Sequence, residues 1–502
     1  MTAGTPMVPP DLPGGPGHTR QLGTVAARGA AVTLASQGVR IVLQLASLVV
    51  LARLLTPSDY GLVAMVVAVV GVGEIVRDLG LSTAAVQSPT LTDAQRDNLF
   101  WASAVLGTLL LTLVLLGGHV IAAFYGHPEL VGISQALSLV FLLNGLATQY
   151  RAGLNRSLRF GALAAVDITA QVAGLSTAVV LALSGVGYWS LVAQQLVQGS
   201  VTLVLVVLSG GWLPRRPRRG VGTRPLFVFG INLVAGQMVG YAGRNTDTLV
   251  IGQRFGAVGL GTYNRAFQLV MVPLGQVRQP STTVALPVLA RLQDDDQRYG
   301  AYLVRGQLAF GYTLVVGLAI AAGAAQPLVA LLLGPQWSAS VPLIQALAVA
   351  GLFETVAYVG FWVYLSRGLT RQLLRYTVVS SLVKAVCVLL GSHWGVQGVA
   401  IGFAVGPALD WPLSMYWLSR STRLPLRQLV TGALRPAALA TVGACGSAAA
   451  VAVLHQAPDV LRLAVGATAC LAAYVLSALL VPAVRHDMCD VVDVARRVLP
   501  RR

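Results

Sequence analysis

Residues 61–86 read GLVAMVVAVVGVGEIVRDLGLSTAAV. The segment is long enough to cross a bilayer and almost wholly apolar until Glu74, Arg77 and Asp78 interrupt it. A crossing of the hydrocarbon core needs about 20 such residues. Its charges therefore demand an explanation that lipid cannot give.

Composition extends the point to the whole chain. Of 502 residues, 55% are hydrophobic and 11% charged, with a mean hydropathy of +0.72. Soluble proteins carry about 25% charged residues, so the deficit marks an integral membrane protein. A window of membrane length finds fourteen apolar spans, at 30–51, 62–86, 100–123, 131–150, 161–183, 188–208, 226–251, 262–288, 305–325, 341–365, 373–391, 395–418, 435–454 and 460–483. The fold expected is all-α and polytopic.

A net charge of +17 would suggest nucleic acid in a soluble protein, but its placement points elsewhere. With both termini inside, the inner loops and tails hold 26 basic residues and the outer loops only Arg53, Arg254 and Arg462. That bias alternates through every loop, as the positive-inside rule requires. It implies a multi-pass protein of the cytoplasmic membrane with both termini cytoplasmic and no nucleic-acid partner. The run RRPRR at 215–219 then reads as an anchor for a cytoplasmic loop beside anionic lipid headgroups.

The longest basic loop separates two similar halves. Sliding the chain by 200 residues superimposes the spans and matches Gln37 with Gln237, Gly61 with Gly261, Val70 with Val270, Thr83 with Thr283 and Ala85 with Ala285. The organisation expected is a disordered tail over 1–25, a six-helix lobe over 26–210, a basic linker over 211–225, a second six-helix lobe over 226–420, two further helices over 421–484 and a cytoplasmic tail over 485–502. An even number of helices per repeat makes the halves parallel, with a substrate site expected between them. Helix 8 carries Pro273, Pro280 and Pro287 and is a candidate bent gate. The outer segment 326–340 reads as interfacial, with Trp337 as a belt residue.

Apart from arginines in the first three residues of a span, twelve Asp, Glu, Lys or Arg residues fall within the spans: Arg40, Glu74, Arg77, Asp78, Asp167, Arg244, Asp247, Arg265, Arg278, Glu354, Lys384 and Asp410. Exposed to lipid, they would cost about 36 kcal/mol even at ~3 kcal/mol each. Most must therefore face a hydrated interior or one another. Glu74 lies three residues from Arg77 and four from Asp78, so the three share one helix face. Pairs such as Glu74–Arg77 and Arg244–Asp247 could serve only to lock helices. The functional reading assigns Arg40, Arg77, Arg244 and Arg265 to an anionic substrate, because a guanidinium fork reaches two phosphate oxygens at once. Glu74, Asp78, Asp247 and Glu354 are the matching candidates for cation coupling or charge pairing.

Soluble chemistry finds no foothold. No phosphate-binding loop, zinc-protease motif or Ser/His/Asp set is present. Cys387, Cys445, Cys470 and Cys489 are scattered without CxxC spacing, and the six histidines are dispersed, so no disulfide framework or metal site is implied.

Several phrases carry a family likeness. They are LARLLTPSDYGLVAMVVAV (51–69), DLGLSTAAVQ (78–87), FYGHPELV (124–131), YRAGLNRSLRF (150–160), GYWSLVAQQLV (187–197), GLGTYNRAFQLVMVPLGQV (259–277), PVLARLQDD (287–295) and LLLGPQWSASVPLIQALAVAGLFE (331–354). The chain resembles Wzx-type polysaccharide flippases of the lipopolysaccharide and teichuronic acid exporter group, in the multidrug/oligosaccharidyl-lipid/polysaccharide exporter superfamily. The resemblance runs over about residues 26–480, and the R-L-L-T-P-x-D-Y-G-L phrase is its most specific part.

That likeness implies two lobes in a V around a central cationic cavity. It implies alternating-access transfer of a polyprenyl-diphosphate-linked oligosaccharide from the inner to the outer leaflet for cell-surface polysaccharide biosynthesis. No bond is made or broken in such a step, so no enzyme and no cofactor is expected, only coupling to a H+ or Na+ gradient. Membrane lipids and polysaccharide polymerase machinery are the partners implied, and a monomer the expected state. Three rival readings are a lipid II flippase, a multidrug extruder of the same fold, and a polysaccharide polymerase or ligase. The arginine-rich spans argue against cationic drugs, and the short outer loops against a polymerase site.

Overall fold

A computed structural model describes residues 16–88 and 91–498. Among these, helices are joined mostly by short turns, the longer connection 211–223 excepted, and no strand occurs. In chain order they are α1 (Pro16–Leu54), α2 (Pro57–Asp78), α3 (Leu81–Gln87), α4 (Asp93–Tyr125), α5 (Leu130–Arg156), α6 (Phe160–Leu183), α7 (Trp189–Gly210), α8 (Arg224–Arg291), α9 (Asp296–Gly323), α10 (Ala325–Leu332), α11 (Val341–Ser366), α12 (Thr370–Gly391), α13 (Gly395–Ser421), α14 (Leu426–Val453), α15 (Asp459–Leu480) and α16 (Pro482–Val498).

Among the described residues, ten stretches are long and apolar enough to cross a membrane on length and composition alone, with α12 and α13 falling in one of them. The others of the expected fourteen are α2 and the two parts of α8, which carry most of the ionisable groups named above. Fourteen crossings fit this arrangement.

Local chemistry explains the helix starts. The phrase Thr56-Pro-Ser-Asp59 is a capping box: Thr56 Oγ1 accepts from the Asp59 amide at 3.3 Å, and the Asp59 carboxylate accepts from the Thr56 amide at 2.9 Å. Pro57 occupies the first helical position, where its missing N–H costs nothing. Thr92 and Gln95 repeat the box at the start of α4, at 3.2 and 3.0 Å. The most family-like phrase of the sequence is thus a helix start signal.

The opening segment is not one helix over 62–86. Leu79 (φ 43°) and Gly80 (φ 60°) both adopt the left-handed conformation, which ends α2 and begins α3. Asp78 accepts from Ser82 across that break at 2.8 Å. In the other direction, the expected loop between 251 and 262 is absent. A single non-helical residue, Gly256 (φ 67°, ψ −167°), joins the two parts of α8, and Arg254 there donates to Ser392 at 2.5 Å. The three prolines of α8 lie within helix and the break falls on glycine instead.

Gly256 occupies backbone space that is essentially closed to other residues. Gly256→Ala is expected to destabilise the protein by about 1–3 kcal/mol, read as a lowered midpoint of thermal unfolding in detergent.

Trp337 departs from its expected belt role. It is fully buried, because the turn at Gly334 folds the segment inward and the Trp337 amide donates to the Gly334 carbonyl at 3.2 Å. At the ends of the chain, α1 starts at Pro16, so only residues 1–15 of the expected tail lie outside the described region. Beyond α15, the segment expected only as a tail contains α16, whose buried Asp487 accepts from Tyr312 and Arg435, each at 3.1 Å.

The chain divides into two compact units between Ala242 and Gly243. In the first, Phe100, Tyr150, Leu154, Val166 and Val206 form a core where α4, α5, α6 and α7 meet. In the second, Tyr299, Leu303, Trp362, Tyr364, Leu418 and Leu429 do the same for α9, α11, α13 and α14.

Candidate functional site

In the first unit the in-span charges form two separate networks. Asp167 on α6 receives Arg40 of α1 at 3.2 Å and Arg151 of α5 at 2.7 Å, so one carboxylate ties together three helices. Arg40 remains 45% exposed in this pairing and can present its other nitrogens outward. The second network lies between α2 and α5. Buried Arg77 donates from Nε to Glu74 at 3.0 Å and from Nη1 to Thr148 at 2.5 Å, and Thr148 donates onward to the Asn144 carbonyl at 2.7 Å.

These contacts sort the candidates. Glu74 and Arg77 share a face and pair, as their spacing implies. Asp78 turns away to Ser82. Arg40 and Arg77 engage different partners and are not joined into one network.

The second unit holds the other candidates. Asp247 is buried and accepts from the Tyr263 hydroxyl at 2.5 Å, so the lock to Arg244 suggested by their spacing is not formed. Arg244 is instead exposed. Arg265, two residues beyond Tyr263 on α8, is 7% exposed. Glu354 on α11 pairs with Arg278 of α8 at 2.9 Å, and the Arg278 guanidinium lies 5.7 Å from the Tyr358 ring centre.

A further group comes from Lys384 and Asp410, in-span charges to which the sequence assigned no role. Lys384 on α12 lies within electrostatic reach of both Asp247 and Asp410, with its ammonium 3.6 Å from the centre of the Phe403 ring. Asp410 is buried on α13 and accepts from Ser380. Two carboxylates therefore share the field of one ammonium inside the unit. The available signal was that Lys384 is the sole lysine of the chain. Arg151 and Tyr263 left none, because their roles depend on neighbours that no helical spacing reveals.

Chemically, each unit meets most of its membrane charges internally, by ion pairs and hydroxyl donors, while Asp247 and Asp410 each keep one oxygen without a donor among the described residues. Such pairing removes most of the cost of burial and leaves spare guanidinium nitrogens as donors. Among the described residues no cluster could hold a metal ion.

Comparison with known proteins places this architecture. The chain is 29% identical to the teichuronic acid biosynthesis protein TuaB of Bacillus subtilis over 59% of its length, and spans 62% of that protein. It is 24% identical to the lipopolysaccharide biosynthesis protein WzxC of Escherichia coli, covering 74% of this chain and 77% of that one. It is likewise 24% identical to the succinoglycan biosynthesis transport protein ExoT of Rhizobium meliloti, over 60% of this chain and 61% of that one.

Among solved structures, the fold resembles the lipid II flippase MurJ in an inward closed conformation, with a TM-score of 0.65 and 13% identity over 89% of this chain and 98% of that one. It also resembles an inward-facing multidrug resistance MATE family transporter of the MOP superfamily, with a TM-score of 0.57 and 16% identity over 80% and 99% of the two chains. Identities this low speak for the fold alone. The sequence itself decides the family: residues 50–342 match its profile, more than half of the chain, and the protein belongs to the polysaccharide biosynthesis protein family.

Proposed function

We propose that this protein is a Wzx-type flippase. It moves a polyprenyl-diphosphate-linked oligosaccharide from the inner to the outer leaflet of the cytoplasmic membrane by alternating access, with both termini cytoplasmic. The observation that carries the reading is family membership in a chain whose relatives are named for teichuronic acid, lipopolysaccharide and succinoglycan biosynthesis. The in-span chemistry agrees with an anionic cargo. Arg40, Arg77, Arg244 and Arg265 are the proposed diphosphate ligands, because guanidinium donors suit phosphate and would be wasted on a cationic drug.

The polyprenol tail stays in lipid while diphosphate and glycan cross through the protein. No bond changes, so the protein is a transporter and not an enzyme. Coupling to a H+ or Na+ gradient is assigned to the in-span carboxylates, with Asp247 and Asp410 now the strongest pair. Each is buried, and each keeps an oxygen with no hydrogen-bond donor among the described residues.

The test is a lipid extract from a deletion strain, analysed by mass spectrometry beside strains rescued with the intact gene or with Arg40→Ala plus Arg244→Ala. A polyprenyl-diphosphate oligosaccharide should accumulate in the deletion, clear with the intact gene and persist with the double variant. Accumulation of lipid II would assign the peptidoglycan precursor instead. A change in drug tolerance with no lipid accumulation would overturn the substrate class.

A further inference from the structure

We propose that residues 211–221, between α7 and α8, form a docked cationic strip that binds anionic phospholipid headgroups. Its backbone is held by one face of α4. Gln95, Asn98 and Trp101 are spaced three apart, so they form one stripe along the first turns of that helix. Gln95 donates to the Val221 carbonyl at 3.1 Å and Trp101 to the Arg215 carbonyl at 2.8 Å. Between them, Asn98 donates to the Arg218 carbonyl at 2.7 Å and accepts the Arg218 amide at 2.8 Å. The two segments run antiparallel, with a step of three residues on each.

Proline makes this register possible. Pro214 and Pro217 fix φ and favour an extended helix of three residues per turn, so the Arg215 and Arg218 carbonyls point the same way. A turn at Arg219–Gly220, with Gly220 at φ 79°, then brings the Val221 carbonyl to Gln95. Their missing amides also leave fewer backbone donors to satisfy. The N-terminal end of the strip is pinned by Trp212, stacked on Tyr150 at 4.6 Å between ring centres, with the Arg96 guanidinium 4.0 Å above it.

The result is a fixed backbone with free side chains. Arg215, Arg216, Arg218 and Arg219 are all exposed, and none forms an ion pair among the described residues. Beside them Leu213 is 77% exposed. Four arginines alone would suit any acidic partner. An exposed leucine and two tryptophans at the end of a membrane span select the lipid–water interface, where aromatic rings sit at headgroup level and arginines meet phosphate. A preordered backbone spares the ordering cost that a loose basic loop would meet on binding. Such binding involves the lipid bilayer and does not depend on what the protein transports.

A photocrosslinking residue in place of Leu213 tests it, in the full chain reconstituted in phosphatidylcholine with about one quarter phosphatidylglycerol. Crosslinked phosphatidylglycerol should exceed its bulk share at least about twofold, given the attraction of each surface arginine for anionic lipid. Replacing Arg215, Arg216, Arg218 and Arg219 with glutamine should return it to the bulk share. Asn98→Leu with Trp101→Phe keeps every charge and should lose more than half of the enrichment. Crosslinking at the bulk ratio in the unmodified strip, or enrichment unchanged by the glutamines, would overturn the proposal. So would capture of a polypeptide in place of lipid when the same residue is irradiated in native membranes. The four arginine side chains are exposed and form no ion pair among the described residues, so their glutamine variant should keep the elution profile of the parent protein.

Discussion

Arg77→Met is expected to lower the stability of the purified protein by about 2–3 kcal/mol, and Glu74→Gln added to it should restore more than half of the loss. The guanidinium sits between α2 and α5 at 9% exposure, bonded to Glu74 at 3.0 Å and to Thr148 at 2.5 Å. Removing one member of a buried pair costs about 3–5 kcal/mol, because the partner keeps its charge and loses its counter-ion. Glu74 retains 27% side-chain exposure, so water relieves part of that penalty and the lower range applies.

Neutralising Glu74 removes the stranded charge, which is why the double variant recovers. Thermal unfolding of the single and double variants in detergent gives the coupling energy. The same pair separates two roles. If Arg77 also holds the substrate diphosphate, the double variant is stable and yet the lipid-linked precursor persists in cells that carry it. Normal clearance by a stable double variant would make Arg77 a helix lock and nothing more.

This pair also illustrates what could be read from sequence. Glu74 and Arg77 are three residues apart on one helix, so their contact follows from helical geometry. Membrane character, the fourteen crossings and the family were legible for similar reasons: each rests on runs, spacings or phrases local in the chain. Partners between helices were not. Asp167 meets Arg40 across 127 residues, and Glu354 meets Arg278 across 76. No periodicity carries that information.

The Arg244–Asp247 lock fails for the same reason. Helical spacing allowed it, but Asp247 turns inward to Tyr263 at 2.5 Å and Arg244 lies on an exposed face. The turn at Gly256 was hidden because a loop and a single-residue break look alike in hydropathy. The burial of Trp337 was hidden because a tryptophan near a span end fits the interface and the core equally well.

The seam between α12 and α13 leads to the other large effect. A Cβ built on Gly398 would overlap the Gly391 carbonyl oxygen, and one on Gly402 the Cys387 carbonyl oxygen. At Gly406 a Cβ would meet Lys384 at 3.3 Å. Small residues let these helices touch backbone to backbone, the usual source of packing between helices in a bilayer where the hydrophobic effect offers none. A clash with backbone cannot be relieved by turning a side chain, so the helices must separate. Gly398→Val is therefore expected to destabilise by at least about 3 kcal/mol, at or beyond the upper end of typical overpacking.

The damage should also reach Lys384, which projects from α12 towards the ring of Phe403 on α13. Gly117→Ala in α4 supplies the opposite result. Beyond its own stretch of helix, no atom lies within 4 Å of its added Cβ, and alanine favours helix over glycine by about 1 kcal/mol. Unfolding midpoints should thus fall steeply for Gly398→Val and hold or rise for Gly117→Ala. Equal midpoints for the two variants would mean that α12 and α13 do not meet along these glycines.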